Sequence, residues 1–429
     1  MLTVFHTADW HLGQSFCGFD RGYEHDCFLT WLLRTLELHQ PNALIVSGDI
    51  FDTVNPSALA QKRFYEFLSK VAKSMPKMLV VMTAGNHDAA ARLEAPAPLL
   101  NSMNIHVVGT VQWSDAHTID YEKFLIPLTD APSNTSAIVM AVPFLRPSDV
   151  PYVPEASDAY LEGVRELYRN VTEAAMKKSQ EYTPDAYLIA MGHCHVSGGD
   201  ESKDSERRLI IGGSESITLD TFDSAIAYVA LGHLHKAQQF DQGRIRYSGS
   251  PIPLSFAESE YRHRILKLTF HNQAQLLVEE LDIPRSVPLI RVPKKGAATI
   301  DSVLKLLEVI ELDTNLPENL PENLTADQHP FLEVRVLEEG PDPARRKRIE
   351  QVLEGKPIRL ASIKIESPNR DSDEDSLEPS IDSQLLDWIQ PEEIFLAAYH
   401  QKYDKAPDPE VLNAFREAMQ RVALEEASP

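Results

Sequence analysis

Five short apolar runs mark out the first 240 residues, and each stops at a polar cluster. The runs are Leu2–Thr7, Ala43–Ser47, Met78–Ala84, Ala186–Met191 and Ile226–Leu231. They are rich in apolar and β-branched residues, the signature of buried strands. Between them the apolar period lengthens. Glu24–His39 gathers Phe28, Trp31, Leu32 and Leu36 on one helical face, Pro56 opens a second helix running to Lys73, and Glu155–Glu181 carries a third. Further strands are predicted at Ala137–Val142, Arg244–Ser248 and Arg264–Phe270, the last segments antiparallel and hairpin-like. This alternation predicts an α/β fold over residues 1–285, two sheets enclosed by helices. Asn, Asp and Gly turns then place the polar clusters at strand C-termini, the usual site position in such folds.

The pattern changes after residue 285. Strand, helix, strand, helix and strand signals follow at Val287–Val292, Thr299–Glu311, Phe331–Val336, Pro343–Leu353 and Ile358–Ile365, predicting a small α/β module over 286–366. Asn315–His329 reads as a loop. Residues 367–385 read as an acidic linker, since 366–383 holds seven acids against the single Arg370. Two amphipathic helices are predicted in the tail, 386–429. One is Pro391–Lys402. The other is Pro409–Leu424, with Val411, Leu412, Phe415, Met419 and Val422 as its stripe. That stripe packs either on the chain's own core or in a partner's groove.

Length and composition narrow the class. At 429 residues two or three domains are expected, and 43% hydrophobic content is that of a soluble protein. No apolar run reaches the length of a membrane span, and the first residues show no signal-peptide pattern. Cys17, Cys27 and Cys194 form no C-x-x-C pair, so a reducing cytoplasm is the expected setting. Cys194, between His193 and His195, reads as a small packing residue. The net charge of −23 is uneven. Residues 1–300 hold 27 Lys and Arg against 35 Asp and Glu, whereas 301–429 hold 14 against 29. An acidic total of this kind leaves a DNA substrate open, with modest affinity or a helping partner. The dense basic cluster Arg345-Arg346-Lys347-Arg348 is a candidate DNA contact, a solvated helix face being the blander reading.

The clusters that end the five runs are Asp9-Trp10-His11, Gly48-Asp49, Gly85-Asn86-His87-Asp88, Gly192-His193 and Gly232-His233-Leu234-His235. One Asp-x-His alone is more often a structural pair. Five ordered clusters of carboxylate, imidazole and amide make a ligand set for Mn, Fe or Zn. Asp49 is the candidate bridge between two metals. Asn86 offers a neutral oxygen, and His87 follows it towards a substrate phosphate. His233 and His235, two apart on an extended segment, face the same side. His193 is expected to ligate and His195 to be secondary.

In this order the blocks resemble the calcineurin-like metallophosphoesterase superfamily. The flanking segments His6–Gly13, Ser47–Thr53, Pro143–Pro147 and Gly249–Phe256 are similar to its bacterial DNA-repair nuclease subunits. The resemblance implies one metal held by Asp9, His11, Asp49 and His235 and a second by Asp49, Asn86, His193 and His233, with manganese as the family metal. It implies His87 as the catalytic histidine, oriented by Asp88. It further implies a DNA-recognising cap at 286–366, a tail gripping the coiled-coil base of an ATPase partner through Val411, Phe415, Met419 and Val422, and a homodimer within a heterotetramer. Position 52 is Asp where some relatives have His, so a second catalytic imidazole does not carry over. The chain has no G-x-x-x-x-G-K-[ST] loop, so any nucleotide site must lie on another chain. The alternatives are a small-molecule or cyclic-nucleotide metallophosphodiesterase, which the same motifs would serve, and an inactive scaffold.

Overall fold

A computed structural model describes residues 2–366, apart from 115–117, 132–133, 155, 183–185, 203–215, 272–274, 311–324, 339 and 341, together with Leu412. The chain divides into two compact units, Met1–Pro368 and Asn369–Pro429. The candidate tail residues Val411, Phe415, Met419 and Val422, and the predicted linker, lie outside the described residues.

The body of the first unit is built on two six-stranded sheets. The first contains β1 (Leu2–Thr7), β4 (Ala43–Ser47), β5 (Leu79–Thr83), β6 (Ile105–Val108), β13 (Arg264–His271) and β14 (Gln275–Asp282), while β2 (Ser15–Phe16) and β3 (Phe19–Asp20) form a small separate hairpin. Its order is β14-β13-β1-β4-β5-β6, with β1, β4, β5 and β6 parallel and the β13–β14 hairpin added antiparallel on β1. The second sheet contains β7 (Leu125–Ala131), β8 (Asn134–Ala141), β9 (Tyr187–His193), β10 (Tyr228–Gly232), β11 (Gln238–Phe240) and β12 (Ile245–Tyr247), in the order β11-β12-β10-β9-β8-β7. The segment around 244–248 departs from the expected hairpin pattern. Strand β12 runs parallel to β10 and meets only β11 antiparallel.

Alternation along each strand decides what it touches. Val4, Ile45 and Val81 share a core with Ile138, Met140, Ile189 and Met191 of the second sheet. Their neighbours Phe5, Leu44, Val46, Val80 and Met82 pack against helices α1 (Gly22–His39) and α2 (Ala58–Ser74). Both faces of the central strands are therefore dry, which is why they read as unbroken apolar runs. Two short helices, α3 (Ala90–Glu94) and α4 (Ala97–Leu100), lead into β6, and α5 (Ala159–Tyr182) covers the second sheet with Leu167, Tyr168 and Val171. Helix α2 starts later than expected. Ser57 caps it by accepting from the Ala60 N–H at 3.2 Å, which leaves Pro56 just outside.

The same unit also holds a three-stranded parallel sheet, β15 (Leu289–Val292), β16 (Phe331–Leu337) and β17 (Arg359–Glu366), with helices α6 (Ile300–Glu308) and α7 (Arg345–Leu353). Its core is Val292, Val303, Leu307, Leu332, Val334, Val336 and Ile349. A smaller cluster of Phe16, Phe256, Val287 and Phe331 joins this module to the body. No helix among the described residues is long and apolar enough to cross a membrane.

Candidate metal centre

Parallel strands of both sheets end on one side, and their loops lace together through the backbone. Asp9, His11 and Leu12 donate their N–H groups to the carbonyls of Gly48, Asp49 and Ile50 at 3.0–3.1 Å. Gly48 takes φ +83°, and a Cβ there would lie 2.1 Å from His193 Nδ1. A Cβ on Gly85 would lie 2.1 Å from Asp49 Oδ1, so both turns exclude a side chain to let the clusters meet. Asp9, His11, Asp49 and His233 have φ of 54°, 45°, 49° and 103°. Left-handed backbone costs a non-glycine residue about 1–3 kcal/mol where it is strained, and such positions gather at functional sites.

The side chains converge on Asp49. Its Oδ2 lies 3.6 Å from His11 Nε2 and 3.4 Å from His193 Nε2, while its Oδ1 accepts the His87 N–H at 2.9 Å. Asn86 Oδ1 is 2.9 Å from His193 Nε2 and 3.1 Å from His233 Nδ1. Asp9 Oδ1 accepts the His233 N–H at 2.9 Å. The His235 ring sits 5.2 Å from that of His11, and His87 sits 4.9 Å from His11 on the other side. Asp9, His11, Asp49, His193, His233 and His235 are buried, whereas Asn86 and His87 are half-exposed and face the open side.

Proton positions show what is missing between these groups. His193 Nδ1–H donates to the Ser47 carbonyl at 3.0 Å, and His11 Nδ1–H donates to Asp52 Oδ1 at 3.2 Å. The Nε2 lone pair of each therefore points at the Asp49 carboxylate. Asp9 Oδ2 and His11 Nε2 are buried with no hydrogen-bond partner. Lone pairs facing one another in a dry site are costly unless a cation sits among them. The donor set thus fits divalent metals, and two overlapping groups, His11/Asp49/His87 and Asp9/Asp49/His193, each have ligand atoms within 4.8 Å.

The electrostatics agree. Burial, reinforced by Asp49, raises the Asp9 carboxyl to about 7. Burial would also raise Asp49, but His193, His11 and His87 outweigh it and hold that carboxyl well below its usual range. His193 is driven the other way. Burial lowers it, yet the Asp49 and Asp9 carboxylates lift it to about 9. Burial keeps His11 and His233 below the ordinary histidine value.

One expected role changes. Asp88 does not hold the His87 ring. Its carboxylate accepts the N–H groups of Gly85, Ile50 and Phe51 at 2.9–3.1 Å and so ties the Gly48-Asp49 loop to the Gly85–Asp88 loop. His87 Nδ1–H instead donates to the Asp52 carbonyl at 2.7 Å, a partner no sequence motif marks. The motifs also miss Glu258. It is fully buried, accepts His235 Nδ1–H at 3.0 Å, and lies two residues past the Gly249–Phe256 segment, the only signal that points near it. His195 turns away to Glu201 at 3.1 Å, and burial pushes the Cys194 thiol up to about 12. The cluster Arg345–Arg348 opens α7 in the second module. There Arg346 pairs with Glu350 at 2.8 Å, Arg348 with Asp301 and Asp342, and Arg345 with the Gly340 carbonyl.

A model of the calcineurin-like phosphoesterases matches residues 2–237. The chain belongs to that family. A second model, described as the Type 5 capsule protein repressor C-terminal domain, matches residues 285–403. Among curated relatives, the SbcD subunit of nuclease SbcCD from Rhodobacter capsulatus is 36% identical, over 93% of this chain and 94% of that protein. Its counterparts in Escherichia coli K12 and Bacillus subtilis 168 are 34% and 32% identical, over 71% and 68% of this chain and 74% and 72% of theirs. Within the phosphoesterases, the chain is thus a member of the SbcD family of nuclease subunits.

Proposed function

We propose that this chain is a two-metal DNA nuclease subunit. It cleaves duplex ends exonucleolytically and single strands or hairpins endonucleolytically, as the hydrolytic partner of an SbcC-type ATPase. The observation that carries the chemistry is the convergence of unpartnered lone pairs on Asp49 Oδ2. The SbcD relatives support DNA as substrate and SbcC as partner. In this reading Asp9, His11, Asp49 and His235 hold one ion and Asp49, Asn86, His193 and His233 the other, with Mn2+ the metal expected. Bound there, the two cations would supply a nucleophile at neutral pH and neutralise charge on the phosphate. His87, held by Asp52 through Nδ1–H, presents Nε2 to the open side, where it can protonate a leaving oxygen or stabilise equatorial charge. Residues 286–366 act as the DNA-facing cap and 386–429 as the ATPase-binding tail of a homodimer, in the cytoplasm, where the free thiols Cys17, Cys27 and Cys194 fit.

The test is Mn2+-dependent digestion of end-labelled duplex and hairpin DNA, with and without SbcC and ATP, beside a small chromogenic phosphodiester. Shortened labelled strands support the reading. Turnover of the small ester or a cyclic nucleotide with DNA left intact would favour a small-molecule phosphodiesterase.

A further inference from the structure

The two halves of the centre are backed by different groups. On one side, both imidazoles donate their outer N–H to a carboxylate, His11 to Asp52 Oδ1 at 3.2 Å and His235 to Glu258 Oε1 at 3.0 Å. Glu258 is itself fixed, since its Oε2 accepts the Leu254 N–H at 2.7 Å. On the other side, His193 donates to a neutral main-chain carbonyl, Ser47, with Asp9 Oδ1 at 3.9 Å beyond hydrogen-bond reach. Asn86, a neutral amide, supplies the oxygen beside His193 Nε2 and His233 Nδ1.

A carboxylate behind an imidazole fixes its tautomer, holds its ring, and makes its free nitrogen a stronger base towards a metal. Resting on the two-metal reading above, we infer that Glu258 and Asp52 are positioning residues that make the His11/His235 site the tight one. The two ions then load in order, the Asn86/His193/His233 site filling last and exchanging first. Glu258 further connects this site to the second module. The loop before it is held by Arg21, through the Pro253 carbonyl at 2.5 Å, and by Gln14, through the Leu254 carbonyl at 3.2 Å. From β15, Arg291 donates to the Phe256 carbonyl.

The experiment is a Mn2+ titration of the full chain, followed by calorimetry and by the electron paramagnetic resonance of free and coupled ions. Wild type should bind two ions with affinities at least tenfold apart, the spin-coupled signal emerging only with the second. Glu258→Gln, which keeps the shape and a hydrogen bond but not the charge, should weaken the tight step about 10–100-fold and leave the weak step nearly unchanged. Should Glu258→Gln fail to fold, Asp52→Asn is the second variant. Asp52 lies in a partly exposed loop, and its main-chain carbonyl still holds His87. Two equal steps in wild type, or a loss confined to the weak step in either variant, would overturn the inference. Failure of wild type to bind two ions at all would instead sink the two-metal reading beneath it.

Discussion

The Asp49 centre and the Arg345–Arg348 helix are both dense runs of chemistry in the sequence, yet the fold treats them oppositely. At the centre, charged and polar atoms are buried and left facing one another, with Asp9 Oδ2 and His11 Nε2 unpartnered. On α7, the arginines are matched by Glu350, Asp301, Asp342 and a main-chain carbonyl of their own module. A site that awaits a ligand leaves its groups unsatisfied at real cost. A surface cluster that pairs locally has already neutralised much of its field, and exposed pairs contribute little to stability. Charge density in a sequence therefore says less than whether the fold supplies the counter-charge.

The comparison is broken most forcefully at Asp49. Asp49→Ala removes a ligand from both proposed ions, and hydrolysis of DNA and of a chromogenic phosphodiester should fall to background. Activity within tenfold of wild type would remove Asp49 from its central role. His87→Ala should cost about 10²–10⁴-fold in rate while two metals remain bound, because the ring lies on the open side and supplies a proton or charge stabilisation. Metal analysis beside the rate decides it, since loss of an ion would make His87 a ligand, as its closeness to His11 and Asp49 allows.

A medium effect is expected from pH, at histidines away from both regions. Burial lowers His6 and His25 to about 3 and His263 to about 4, against 6.5 for a free histidine. Below pH 6.5 the unfolded chain takes up protons that the folded chain refuses. Stability should thus fall as pH drops from 6.5 towards 3–4 and level off only below those values. Thermal unfolding followed across pH 7 to 4 checks this, and a midpoint unchanged over that window would contradict it. The smallest effect is expected on α7. Replacing Arg345, Arg346, Lys347 and Arg348 with Ala should weaken duplex binding less than tenfold, because the charges are locally matched. A loss of about a hundredfold with a clearly shallower salt dependence would make the helix a principal phosphate contact.

The sequence reveals the parts that are continuous along the chain. Strands β1, β4, β5, β9 and β10 are dry on both faces and read as apolar runs, and the polar residues that end them are the ones that meet. Strands β6, β7 and β11 escape that pattern. The first has only four residues, and the other two are sheet edges. Positions set by distant partners are hidden as well. Glu258 reaches His235 across 23 residues, and the Asp52 carbonyl reaches His87 across 35, contacts no local spacing encodes. For Asp88 the sequence marks the right cluster but the wrong partner, because its three N–H donors come from two loops that only the fold brings together.

The central claim is that one carboxylate organises two cations, and crystals of the chain soaked in Mn2+ test it directly. Anomalous scattering at the manganese edge should show two peaks flanking Asp49 Oδ2, one against His11 and His235, the other against Asn86, His193 and His233. A single peak, or two peaks that do not share Asp49, would contradict the account.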